Sequence, residues 1–158
     1  MNIIYLLPAL LSLHLMALVL MAGTTLVDFI TVRSFWRLFE KQKEKATGLL
    51  EATASYSRMI GIGAAVLIIT GIGMMFITHG VFGEQLWFRI KFVFVILLVA
   101  NGLFVGRRLG LRLRKTVSGT GLINPESIMQ VRKSMYRFHT SQLLIFIIII
   151  FLSIFKFN

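Results

Sequence analysis

Four stretches of this 158-residue chain are too apolar and too long for a water-soluble surface. They run from about Ile3 to Ile30, Met59 to Thr78, Leu86 to Val105 and Phe138 to Phe155. A helix needs about 20 mostly apolar residues to cross a bilayer. In lipid every backbone N–H and C=O must be satisfied within the protein, so only helices and closed barrels span. A barrel strand alternates polar and apolar residues, whereas Phe146-Ile147-Ile148-Ile149-Ile150 has nothing polar. The expected fold class is therefore all-α: a single integral membrane domain, 1–158, built as a four-helix up-down bundle.

The chain is 57% hydrophobic, against about 45–50% for a soluble domain. It contains no cysteine. Disulfides, thiolate metal sites and thiol nucleophiles are thereby excluded. The net charge of +11 invites a nucleic-acid reading. The placement of the charges argues for topology instead. Between Thr31 and Arg58 lie Arg33, Arg37, Lys41, Lys43, Lys45 and Arg58; between Arg107 and Arg137 lie Arg107, Arg108, Arg112, Arg114, Lys115, Arg132, Lys133 and Arg137. These fourteen are most of the 17 basic residues, and the connection from His79 to Gln85 has none. Basic loops stay cytoplasmic. Both termini are thus expected outward, with two basic cytoplasmic loops against anionic lipid and no nucleic acid as partner. Met1-Asn2-Ile3-Ile4-Tyr5 has no basic leader, so the first run reads as a retained helix rather than a cleaved signal.

Helical spacing continues into the loops. Phe35, Leu38, Phe39, Leu49 and Leu50 recur on one face over about 34–54. Ser118-Gly119-Thr120-Gly121 reads as a break, and Asn124-Pro125-Glu126 as a helix start with proline at the first position. An extension over about 125–137 would precede the fourth span.

Ionisable groups inside a bilayer are expensive and mark function by default. His14 lies about 16 Å in from the outer surface, near the mid-membrane. With Ala17, Met21, Thr25 and Asp28 it shares a small or polar face that should turn inward. Asp28 reads either as an interfacial ion pair with Arg33 or another loop cation, or as part of a site. His139 is expected at about 27 Å and His79 at the outer end, so neither matches the depth of His14. No His/Asp/Glu cluster lies at that depth either, which disfavours zinc or a di-iron carboxylate site. A single neutral imidazole in an apolar bundle suits an axial haem ligand. Gly61, Gly63, Gly71 and Gly73 let helices, or a flat macrocycle, approach closely. Met75 is either core filler or a thioether ligand. Lys91, a little over one turn in from Trp87 at a depth of about 7 Å, either snorkels or offers a cation to an anionic ligand, with Arg89 beside it. Asn101 needs a partner within the bundle.

The chain resembles the HemJ-type protoporphyrinogen oxidases, and more distantly the CopD-type membrane domains. The resemblance rests on His14 followed by Met21-Ala22-Gly23, on Ile68-Ile69-Thr70-Gly71-Ile72-Gly73-Met74-Met75-Phe76, on Trp87-Phe88-Arg89-Ile90-Lys91 with Gly106-Arg107 beyond it, and on Ile154-Phe155-Lys156. It implies haem b, a haem iron on His14 and a catalytic role for Lys91. It also implies oxidation of protoporphyrinogen IX in porphyrin biosynthesis, with electrons passed to a membrane acceptor such as quinone. Arg89, Met75 and Asn101 join His14 and Lys91 as candidate cofactor-binding residues. A bacterial inner-membrane location and a homo-oligomer fit the same picture. The chain departs from the family at Asn101-Gly102, where the family has Tyr-His, at Leu20 or Met21, where it has tryptophan, and near the start of the fourth helix, where its proline is missing. Two other functions remain open: a non-enzymatic haem-b electron carrier, and a cofactor-free bundle with His14 hydrogen-bonded inside.

Overall fold

The computed structural model describes residues 3–118 and 125–155, and contains no strand among them. The expected break after Ser118 and the cap at Asn124 lie outside the described residues. Five α-helices carry the chain: α1 (Ile3–Phe39), α2 (Lys43–Ile77), α3 (Leu86–Ala100), α4 (Arg107–Ser118) and α5 (Pro125–Ile154). A 3-10 turn, Val81–Glu84, precedes α3, and a π-helical turn, Asn101–Gly106, joins α3 to α4 without a break. Four helical stretches are long and apolar enough to cross a membrane, and together they form an all-helical bundle. Pro8 falls in the second turn of α1, close to the end where a missing N–H is best tolerated.

α1 has 37 residues and α2 has 35. At 1.5 Å per residue each is more than 50 Å long, against a hydrocarbon core of about 30 Å. The surplus projects at the basic end. There is no helix break near residue 30 because the apolar periodicity simply continues through Val32, Phe35, Trp36 and Phe39, all buried. The stretch 107–118, expected as basic loop, is helical for the same reason. Leu109 and Leu113 recur at i and i+4 and are buried, with arginines on the other faces.

Two apolar cores are stacked along the bundle. The basic-end core joins Val32, Phe35, Trp36 and Phe39 of α1, Ala46 and Leu50 of α2, Leu109 and Leu113 of α4, and Val131 and Met135 of α5. The membrane-level core centres on Met21, Leu98, Phe146 and Ile149. Between them lie buried Thr24, Thr25, His139 and Gln142. The outward faces at membrane level are apolar, with Val19, Ile69, Phe76, Ile147 and Ile154 largely exposed. Such a surface suits lipid and would be a liability in water. The protein is a multi-pass membrane bundle.

Candidate functional site

α1 and α2 run antiparallel and very close. A Cβ built on Gly63 would stand 3.0 Å from the Met21 Cβ and 3.3 Å from the Ala17 carbonyl oxygen. One on Gly73 would stand 3.3 Å from Leu10 Cδ1. Small residues at these crossings bring the backbones together, as membrane helices require when lipid and side chains are equally apolar. This contact carries His14 to α2. Its Nδ1 lies 2.8 Å from Thr70 Oγ1. Its Cε1 would be 3.6 Å from a Cβ on Gly71.

Thr70 is buried, and its hydroxyl donates back to the Val66 carbonyl at 2.6 Å. Its single proton is then used, so its oxygen accepts from His14 Nδ1–H. That fixes the tautomer and leaves the lone pair on Nε2. A histidine that ligates iron is held in this way, its second nitrogen donating to an orienting partner. The donor chemistry fits an axial haem ligand. Among the described residues no group of three or more His, Asp or Glu gathers to hold a bare metal ion.

The other predicted site residues divide. Lys91 stands half-buried in the second turn of α3. Arg89 is two residues away, about 200° around the helix from Lys91. It is exposed, and its Nε donates to the Gly83 carbonyl at 3.0 Å, tying α3 to the 3-10 turn. Met75 points to that same turn, its Cε 4.0 Å from where a Gly83 Cβ would stand. Asn101 donates to Gln142 Oε1 at 3.3 Å and Ser141 Oγ at 3.4 Å. It lies ten residues, or about 15 Å, along the helix from Lys91. The structure thus brings together His14, Thr70 and Gly71, and places Arg89, Met75 and Asn101 elsewhere.

Neither remaining histidine reaches His14. His79 leaves α2 in the left-handed region, with φ of 50°, and is exposed. His139 is 1% exposed and pairs with Asp28, the Nε2 to Oδ2 distance being 3.0 Å. Asp28 therefore meets α5 rather than Arg33. His139 Nδ1 lies 2.8 Å from the Met135 carbonyl oxygen, which can only accept. Both ring nitrogens face oxygens, so a proton must sit between Nε2 and the carboxyl group as well. Asp28 Oδ1 is buried with no hydrogen-bond partner among the described residues. This pair was not foreseen as a unit. Its signal lay in α5, where Val131, Met135, His139, Gln142, Phe146 and Ile149 recur three or four residues apart and are all buried.

Comparison with protein-family models, curated proteins and solved structures finds no match to this chain.

Proposed function

We propose that this protein is a haem-b oxidoreductase of the bacterial inner membrane, with the basic end in the cytoplasm, acting on protoporphyrinogen IX. The observation that carries the reading is the chain from His14 Nδ1 through Thr70 Oγ1 to the Val66 carbonyl, which leaves the Nε2 lone pair free for a ligand. His14 would hold the iron, with Thr70 and Gly71 setting the imidazole ring. When bound, haem b supplies one-electron redox chemistry. Lys91 offers a cation to a carboxylate, either a haem propionate or a porphyrinogen side chain. Each two-electron, two-proton step of porphyrinogen oxidation is matched by reduction of one quinone to quinol, so the balance closes without oxygen.

A second reading is an electron carrier that does not turn over porphyrinogen. One observation favours it. Where the resembled family has Tyr-His, Asn101 is committed to Gln142 and Ser141. Gly102 packs against Gln142, whose Nε2 would be 3.3 Å from an added Cβ. Neither residue supplies a redox or acid–base group.

The test is spectroscopic first. Protein purified in mild detergent from haem-sufficient cells should show a Soret band that His14→Ala abolishes; a colourless wild type would refute both haem readings and leave the cofactor-free bundle. Rescue of a strain lacking its protoporphyrinogen oxidase then separates enzyme from carrier. Lys91→Ala should keep the Soret band and lose rescue. Failure of the wild type to rescue would favour the carrier.

A further inference from the structure

A cleft of about 480 Å³ opens between the π-helical turn and α4 on one side and α5 on the other. Arg108 and Arg112 of α4, Arg137 and Phe138 of α5, and Asn101 and Val105 of the π turn are among its lining residues. None of the chain's six acidic residues is among them. Arg108 and Arg112 stand at i and i+4 on one face of α4, and Arg137 comes from α5. Among the described residues none of the three has an ion-pair or hydrogen-bond partner, while neighbouring Arg132 is neutralised by Glu40. Like charges so arranged repel one another. Two backbone features border the cleft. The π turn displaces the helix, and Gly106 admits the Phe138 ring, whose Cζ would lie 2.8 Å from an added Cβ. Single π turns recur at functional sites.

We propose that this cleft binds the phosphodiester headgroup of an anionic phospholipid from the cytoplasmic leaflet. The assignment is independent of the haem reading and rests only on the proposed cytoplasmic placement of the basic end. Guanidinium groups present paired N–H donors that match phosphate oxygens. Basic pockets between membrane helices on the cytoplasmic side suit anionic headgroups. The choice of a lipid over a soluble phosphate comes from what lies directly below. Val105, which lines the cleft, is 41% exposed, and Phe104, one turn before Arg108, is 67% exposed, both on the membrane side of the arginines. The cleft therefore continues into an apolar surface at the level of acyl chains, and cations over an apolar wall mirror an anionic phospholipid.

The experiment uses the full chain, delipidated in mild detergent. Binding of phosphatidylglycerol and phosphatidylcholine is followed by native mass spectrometry and by thermal shift. Phosphatidylglycerol should bind and raise the unfolding temperature, and phosphatidylcholine should not. Replacing all three arginines, R108Q/R112Q/R137Q, should weaken binding about a hundredfold, at roughly fivefold for each charge near the surface. R108K/R112K/R137K keeps the charge and loses the forked geometry, so an intermediate, severalfold loss is expected. A control that removes three charges outside the cleft, R33Q/R114Q/K115Q, should bind within about twofold of wild type. An equal loss in that control would reduce the effect to diffuse surface charge and overturn the site. Inorganic phosphate that displaces the lipid at equal concentration would overturn the lipid assignment, as would equal binding of phosphatidylcholine. Should the glutamine variant fail to fold, the lysine variant against the control decides.

Discussion

Thr70 matters because a threonine oxygen in a membrane helix normally has one use, bonding the carbonyl a turn behind it. Here that same oxygen also accepts from His14. Thr70→Val keeps the volume and removes the acceptor, so the His14 ring is no longer held in one tautomer. Loss of such a supporting partner typically weakens metal binding about 10- to 100-fold. Haem titration into the apo variant should show a drop of that size with the Soret band retained; unchanged affinity would mean Thr70 does not set the ligand. Asp28 and His139 allow a second test of this kind. Asp28→Asn puts an amide N–H against His139 Nε2, which can accept it while Nδ1–H donates to Met135. Asp28→Ala leaves that buried nitrogen unpaired, at about 1–3 kcal/mol. Thermal unfolding should therefore rank wild type close to Asp28→Asn and well above Asp28→Ala. A lone histidine in an apolar run, such as His14, stands out in a sequence because nothing else explains it. Thr70 does not, because a lone threonine in an apolar helix reads as filler. The Asp28–His139 pair was half visible: each residue lies on the inward stripe of its own helix. What periodicity cannot supply is the register between two helices whose residues are 111 apart in sequence.

Between elements, the same gap in register decides what could be foreseen. The four spans follow from run length alone. α4 could have been read from Leu109 and Leu113, but its arginines draw attention to topology instead. The π turn has no sequence signature beyond Asn101-Gly102 and Gly106, and the reason for it is three-dimensional. Phe138 occupies the space a side chain at 106 would need. Gly106→Ala would place a methyl group 2.8 Å from the Phe138 Cζ. Either the ring swings away or the π turn and α5 separate. Overpacking of this kind typically costs about 1–3 kcal/mol. Phe138→Leu in the same chain should restore most of that loss, because the obstacle is the ring itself. Unfolding midpoints of the single and double variants give the coupling; strictly additive effects would show that Gly106 and Phe138 do not press on one another.

At the scale of the whole molecule, the stacked cores are stabilised by different physics. Around the membrane-level core the solvent is lipid, and lipid is as apolar as the side chains. Association there gains packing and hydrogen bonds but almost no hydrophobic driving force. The basic-end core is built from the surplus length of α1 and α2, flanked by lysines and arginines that belong in water. Burial there removes apolar surface from water, at about 25 cal/mol per Å². The same truncation should therefore cost more at the basic end. Phe35 is 1% exposed in that core and Phe146 is 3% exposed in the other, so the two begin equally buried. Phe35→Ala should lose about 3–5 kcal/mol, the range for a buried phenylalanine in a water-surrounded core. Phe146→Ala should lose about half as much, since its cavity costs dispersion contacts but no transfer from water. Denaturant unfolding in one detergent, followed by tryptophan fluorescence, measures both. Trp36 touches Phe35, with ring centroids 5.1 Å apart, and so reports the basic-end core directly. Equal losses would mean that the water boundary does not fall between the cores. The basic-end helices would then be bathed in lipid or detergent along their whole length.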